Sequence, residues 1–118
     1  MGDYDVGMSV RREVLGNAHV DRSIAAATDL NRPFQEWITE NVWGDLWSNE
    51  TLDRKTRSMI TVAILAALGR EELSLHMQAS VNTGVSDQEL AQVLQHVAIY
   101  AGVPAANHAF GVAKETRP

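Results

Sequence analysis

Between Leu52 and Gly84 the sequence LDRKTRSMITVAILAALGREELSLHMQASVNTG leaves little freedom in what it can form. The first run, Asp53 to Leu68, is almost wholly apolar in its second half, and Thr51 or Asp53 can cap its start while Gly69 closes it. After that glycine the chain turns directly into a second helical run, Glu71 to Asn82, whose acidic pair Glu71 and Glu72 suits a positive helix N-terminus and which Gly84 ends. Two helices meeting at so short a turn must pack on one another. Ala63, Ala66 and Ala67 are small enough to let another helix approach closely. Glu72 and His76 are four residues apart, and Arg54 and Arg57 are three apart, so each pair shares a helix face. A carboxylate, an imidazole and two guanidiniums set around small apolar residues make a candidate site for a small anion.

The remaining segments read as helices too. Residues 1–17 are polar, hold three glycines, and read as a loosely ordered arm, a solvated tail in which Arg11 and Arg12 could still contact a neighbouring subunit or a ligand. A short helix follows from His19 through VDRSIAAATDL, with Asp21 as a possible N-cap, and Asn31-Arg32-Pro33 stops it and starts the next. That second helix, FQEWITENVW, is expected to end near Gly44. Trp37, Trp43 and Trp47 fall within eleven residues and serve either core and subunit-interface packing or one wall of a pocket. Ser86-Asp87-Gln88-Glu89 is a capping box opening the helix Asp87 to Tyr100, and Gly102-Val103-Pro104 breaks it before the last, Ala105 to about Glu115. No convincing alternating strand occurs. The predicted fold is all-α, a single domain over residues 1–118 with six helices and short turns.

Composition removes several function classes. With 118 residues the chain can bury one modest core. A net charge of −5 argues against non-specific nucleic-acid binding, so an anionic ligand must find a local cationic pocket. The absence of cysteine excludes disulfides, thiolate metal sites and thiol redox chemistry. The N-terminal residues carry no apolar run before a cleavage site, and the longest apolar stretch is too short to cross a bilayer, which leaves a cytoplasmic location as the expectation.

Among groups able to exchange protons near neutral pH, His76 stands out because Glu72 lies one helical turn before it; the alternative is a histidine satisfied at the rim of a core. His96 sits in an apolar helix and reads as a packed or interface residue, while His19 and His108 carry no local signal. Glu72 and His76 resemble half of a helix-borne metal site, but no second such pair occurs, so no metal is expected. No phosphate loop, nucleophile elbow or dinucleotide fingerprint is present either, and no cofactor is expected. Arg54 and Arg57 either form a solvated first turn with Lys55 or are held there by a partner, since cations near a helix N-terminus oppose its dipole. The free amides after Pro104 offer a further anion site, with Asn107 in the same turn.

The segments ALGREELSLHMQASVNTGVSDQELAQVL and VAIYAGVPAANHAF, with REVLGNAHVDRSIAAATDL upstream, resemble the carboxymuconolactone decarboxylase family over nearly the whole chain. The wider superfamily includes alkyl hydroperoxidase D-like proteins, which carry a Cys-x-x-Cys pair ahead of a histidine. Aligning that histidine with His76 puts Gly69 and Glu72 where the cysteines would stand and Arg57 where an upstream acid would be, so thiol catalysis is impossible here. The resemblance implies loss of CO2 from a carboxylated five-membered unsaturated lactone in aromatic (protocatechuate) catabolism, giving the enol-lactone of β-ketoadipate without a cofactor. In that reading Arg54 and Arg57 hold the anionic arms of the substrate, Asn107 is a further substrate-binding candidate, and His76 backed by Glu72 delivers the proton. It also implies a homo-oligomer, a ring-like trimer or hexamer. Two alternatives stay open: a family member acting on another lactone acid, and a helical assembly module that has kept the fold without the chemistry.

Overall fold

The computed structural model describes residues 2–118, and every regular element among them is helical. Seven α-helices form: α1 (Tyr4–Leu15), α2 (Asn17–Ala25), α3 (Arg32–Ile38), α4 (Arg54–Leu68), α5 (Leu73–Asn82), α6 (Asp87–Tyr100) and α7 (Val103–Thr116). A π-helical stretch, Thr39–Leu46, continues directly from α3. The all-α expectation holds. The chain divides into two compact units, Met1–Arg54 and Lys55–Pro118.

In the first unit four expectations need correction. Residues 4–15 are no loose arm but helix α1: the Asp3 carboxylate accepts the Val6 N–H at 3.0 Å, and Gly16, at φ 89°, ends it. Its buried positions Gly7, Val10, Arg11 and Val14 follow helical spacing. The glycines that suggested looseness mark close approach instead. A Cβ at Gly7 would overlap the Thr39 carbonyl oxygen, and one at Gly44 would overlap that of Asp3, so α1 lies backbone against backbone on the π-helical stretch. Asp21 is not a cap either, because α2 starts at Asn17 directly after Gly16; its carboxylate pairs with Arg12 at 2.9 Å. α2 also stops at Ala25, short of the expected Leu30.

Gly44, expected to end a helix, lies inside the π-helical stretch. The wider coil is visible at its end, where the Trp47 N–H donates to the Val42 carbonyl five residues back at 2.9 Å. Trp43 and Trp47 are both buried, with ring centroids 5.0 Å apart, so two tryptophans supply core. Trp37 is 55% exposed and stacks on Phe34. Because nothing in the α1 contact can give way except backbone, Gly7→Ala is expected to destabilise the first unit by about 1–3 kcal/mol. The check is a lower urea midpoint at unchanged slope; an unchanged midpoint would contradict this packing.

The second unit is built on the hairpin of α4 and α5. Gly69, at φ 66°, donates its N–H to the Ala66 carbonyl while the Arg70 N–H reaches that of Leu65, the paired bonds that close a helix on a glycine. At the far end of the hairpin the Thr83 hydroxyl donates to buried Ser58 at 2.7 Å. The core joins Val62 and Ala66 of α4, Leu73 and Met77 of α5, Leu90, Leu94 and Val97 of α6, and Ala106 and Ala109 of α7. Each buried Leu, Met or Val there contributes about 1.5–3 kcal/mol. α7 packs on both α5 and α6. Its end is tied down by Arg117, which donates to Ser80 Oγ at 2.8 Å and to the Val85 carbonyl at 2.7 Å.

The expected capping box is present: Ser86 accepts from the Glu89 N–H, and the Glu89 carboxylate accepts from the Ser86 N–H. Lys55, 2.6 Å from that carboxylate, and then the Ser86 amide hold Glu89 below the ordinary carboxylate range. A lowered carboxylate pKa stabilises the fold above its unfolded value, and the support is lost as pH falls through the folded one.

Candidate active site

Arg57 stands in the first turn of α4, half-buried, with its Nε screened from solvent. The next residue, Ser58, is fully buried and bonded to Thr83, which fixes this end of α4 against the end of α5. The Thr61 hydroxyl donates to the Arg57 carbonyl at 2.8 Å, a turn further along.

His76 lies on α5 between the core residues Leu73 and Met77, half-buried, with Nδ1 screened from solvent. Glu72 is not inside the helix as expected. α5 begins at Leu73, and Glu72 occupies the cap position with its side chain exposed. The reason is the glycine-closed turn before it: the Leu73 N–H still bonds back to the Arg70 carbonyl, so the first full helical bond is from the His76 N–H to the Glu72 carbonyl at 3.1 Å. One helical turn nonetheless separates the two, as the spacing required.

The other two predicted residues are Arg54 and Asn107. In the first unit, Arg54 forms an ion pair with Glu13, so its charge is already answered. Asn107 is exposed on α7, and since that helix starts at Val103 rather than Ala105, Asn107 lies beyond the first turn and not among its free amides. No side chain caps α7, and Gly102 precedes it at φ 111°.

A cavity of about 630 Å³ runs between α4 and α6, walled mainly by Met59, Ile60, Ala63, Ile64, Val93 and Tyr100. None of Arg57, Glu72, His76 or Asn107 lines it. Its one imidazole is His96, exposed and tilted against Tyr100 with centroids 4.9 Å apart. With no arginine or lysine in its walls, it is poorly suited to a doubly charged acid. Ala63 and Ala67 line it, while Ala66 points into the core. Sequence periodicity could not reveal it, because its walls come from two helices separated in the chain by α5.

Among the described residues, no group of three or more His, Asp or Glu side chains is placed to hold a metal ion. No helix among them is long and apolar enough to cross a membrane.

Arg57 and His76 thus sit on the two helices of one hairpin, each with a ring or guanidinium nitrogen screened from solvent, and comparison with known proteins gives the all-helical fold a family. Residues 32–115 match the Carboxymuconolactone decarboxylase family. The chain is 47% identical to 4-carboxymuconolactone decarboxylase of Acinetobacter baylyi over 113 residues, covering 95% of this chain and 84% of that protein. It is 38% identical to nitrosuccinic acid decarboxylase npaB of Metarhizium robertsii over 116 residues, 96% of this chain and 80% of the relative. A 42-residue stretch is 57% identical to 4-carboxymuconolactone decarboxylase of Pseudomonas putida, covering 36% of this chain and 88% of that sequence. The chain belongs to the carboxymuconolactone decarboxylase family.

Proposed function

We propose that the protein decarboxylates 4-carboxymuconolactone to the enol-lactone of β-ketoadipate, without a cofactor, in the cytoplasmic catabolism of protocatechuate. The observation that carries this reading is the 47% identity to the Acinetobacter baylyi enzyme along almost the full chain. The substrate is a dianion: one carboxylate sits on the saturated ring carbon and another ends its acetate arm. When the ring carboxylate leaves as CO2, the electron pair of the broken C–C bond moves through the ring double bond to the lactone carbonyl oxygen, giving a dienolate. A proton delivered to the ring carbon beside that carbonyl completes the product. The substrate is its own electron sink.

What remains for the protein is to hold the anionic arm, desolvate the departing carboxylate and supply the proton. Arg57 suits the first task, because its guanidinium is partly withdrawn from water on a helix end fixed by Ser58 and Thr83. His76 suits the last, with Glu72 as the positioning residue one turn before it. Arg54, already paired with Glu13, and exposed Asn107 are the lesser candidates for substrate contact. The nitrosuccinic acid relative fits the same reaction type. That compound is also a diacid, with an electron-withdrawing nitro group placed to accept the pair that CO2 leaves behind.

The active form in this reading is a homo-oligomer, a trimer or hexamer. Ile60 and Ile64 on α4 and Ile99, Tyr100 and Val103 around the end of α6 are all exposed, Tyr100 by 80%, beside the apolar cavity. So much exposed apolar surface on a small chain supports an interface between copies. Light scattering at micromolar concentration is expected to return at least three times the chain mass; a monomer would overturn the assignment.

A further inference from the structure

Arg11 is 6% exposed, yet nothing of opposite charge meets it. Its Nη1 donates to Thr39 Oγ1 and its Nη2 to Gln35 Oε1, both at 3.1 Å and both neutral acceptors. Its Nε is buried without a partner, and among the described residues no carboxylate forms an ion pair with it. A guanidinium has five N–H donors, and only two are used here. A buried charge left in this state is costly unless something completes it.

The same guanidinium lines a cavity of about 130 Å³ within the first unit, together with Tyr4, Ser23 and Thr39. Two other charged groups share its walls: Arg32, which pairs with Asp29 at 2.9 Å, and exposed Glu36. At roughly 30 Å³ per water, the space holds about four waters or a carboxylate of up to about four carbons. Nearby His19 registers the uncancelled charge. Burial lowers its pKa, with Arg11 the next cause and Arg22 the third.

The geometry points to a binding site for a small organic carboxylate in this cavity, with the Arg11 guanidinium in its wall as the charged contact. Glu36 at the rim opposes the ligand and sets how weakly it binds. The site does not rest on the decarboxylation chemistry, since neither Arg57 nor His76 contributes to its walls.

The test uses the full chain and sodium acetate or succinate, titrated at constant ionic strength against sodium chloride and followed by nuclear magnetic resonance of the Arg11 Nε–H and the His19 ring. Saturable shifts are expected with the carboxylates and not with chloride, with the His19 pKa moving up as the bound anion cancels the field of Arg11. Glu36→Gln should tighten binding about 3- to 10-fold by removing a like charge from the rim, and Arg11→Lys should weaken it at least about tenfold by removing the planar fork. If Arg11→Lys does not fold, the wild-type titration and Glu36→Gln still decide. Equal response to chloride, a His19 titration indifferent to acetate, or Glu36→Gln binding no tighter would each overturn the proposal.

Discussion

Replacing His76 with alanine is expected to lower turnover of 4-carboxymuconolactone by about 10²–10⁴-fold, the usual contribution of a positioned general acid. That corresponds to roughly 3–5 kcal/mol of barrier. The expectation follows from where the ring sits: its helix neighbours Leu73 and Met77 are locked in the core, so the imidazole is held at a fixed place with Nδ1 out of water. Substrate binding should change little, because the proton is transferred only after CO2 has begun to leave. Glu72→Gln should cost less in rate but alter the pH–rate profile, since a neutral amide cannot support an imidazolium. Near-wild-type turnover in His76→Ala would assign the proton to another group.

Arg57→Ala should act on a different constant. Its proposed partner is a carboxylate present in both the bound substrate and the transition state, so the loss falls mainly on KM. One charge-assisted pair lost costs about 1.5–3 kcal/mol, which raises KM roughly 10- to 100-fold. The fold should survive, because the Thr83–Ser58 hydrogen bond still ties that end of α4 to the end of α5. An unchanged KM would remove Arg57 from the site. Arg54→Ala provides the internal comparison: with Glu13 already beside it, a much smaller change is expected.

What could be read in the sequence was set by how local the signal was. The α4–α5 hairpin, the Ser86–Glu89 capping box and the stop at Gly69 each depend on residues within one or two turns, and all are present. The first unit was harder because its decisive contacts are distant in sequence. Gly7 and Gly44 look like flexible or terminating residues until α1 is seen lying against the π-helical stretch, where only hydrogen fits. Arg11 looked like a tail residue for the same reason, since its acceptors Thr39 and Gln35 are 28 and 24 residues away. At the candidate site the spacing of Glu72 and His76 survived, although the helix starts one residue after the glutamate. Arg54 and Arg57 share a helix turn in the sequence, but a carboxylate from α1 engages the first, which no local pattern announces.

Decarboxylation of the lactone by the protein can be measured outright. The purified protein, exhaustively treated with EDTA and given no nucleotide or flavin, is mixed with freshly generated 4-carboxymuconolactone and followed by ultraviolet absorbance, with nitrosuccinic acid assayed in parallel. Rapid loss of the lactone is expected, with one CO2 released per molecule, a rate unchanged by the chelator, and a clear preference over nitrosuccinic acid. A folded protein that leaves the lactone untouched, or a rate that falls with EDTA and returns with a divalent ion, would contradict it.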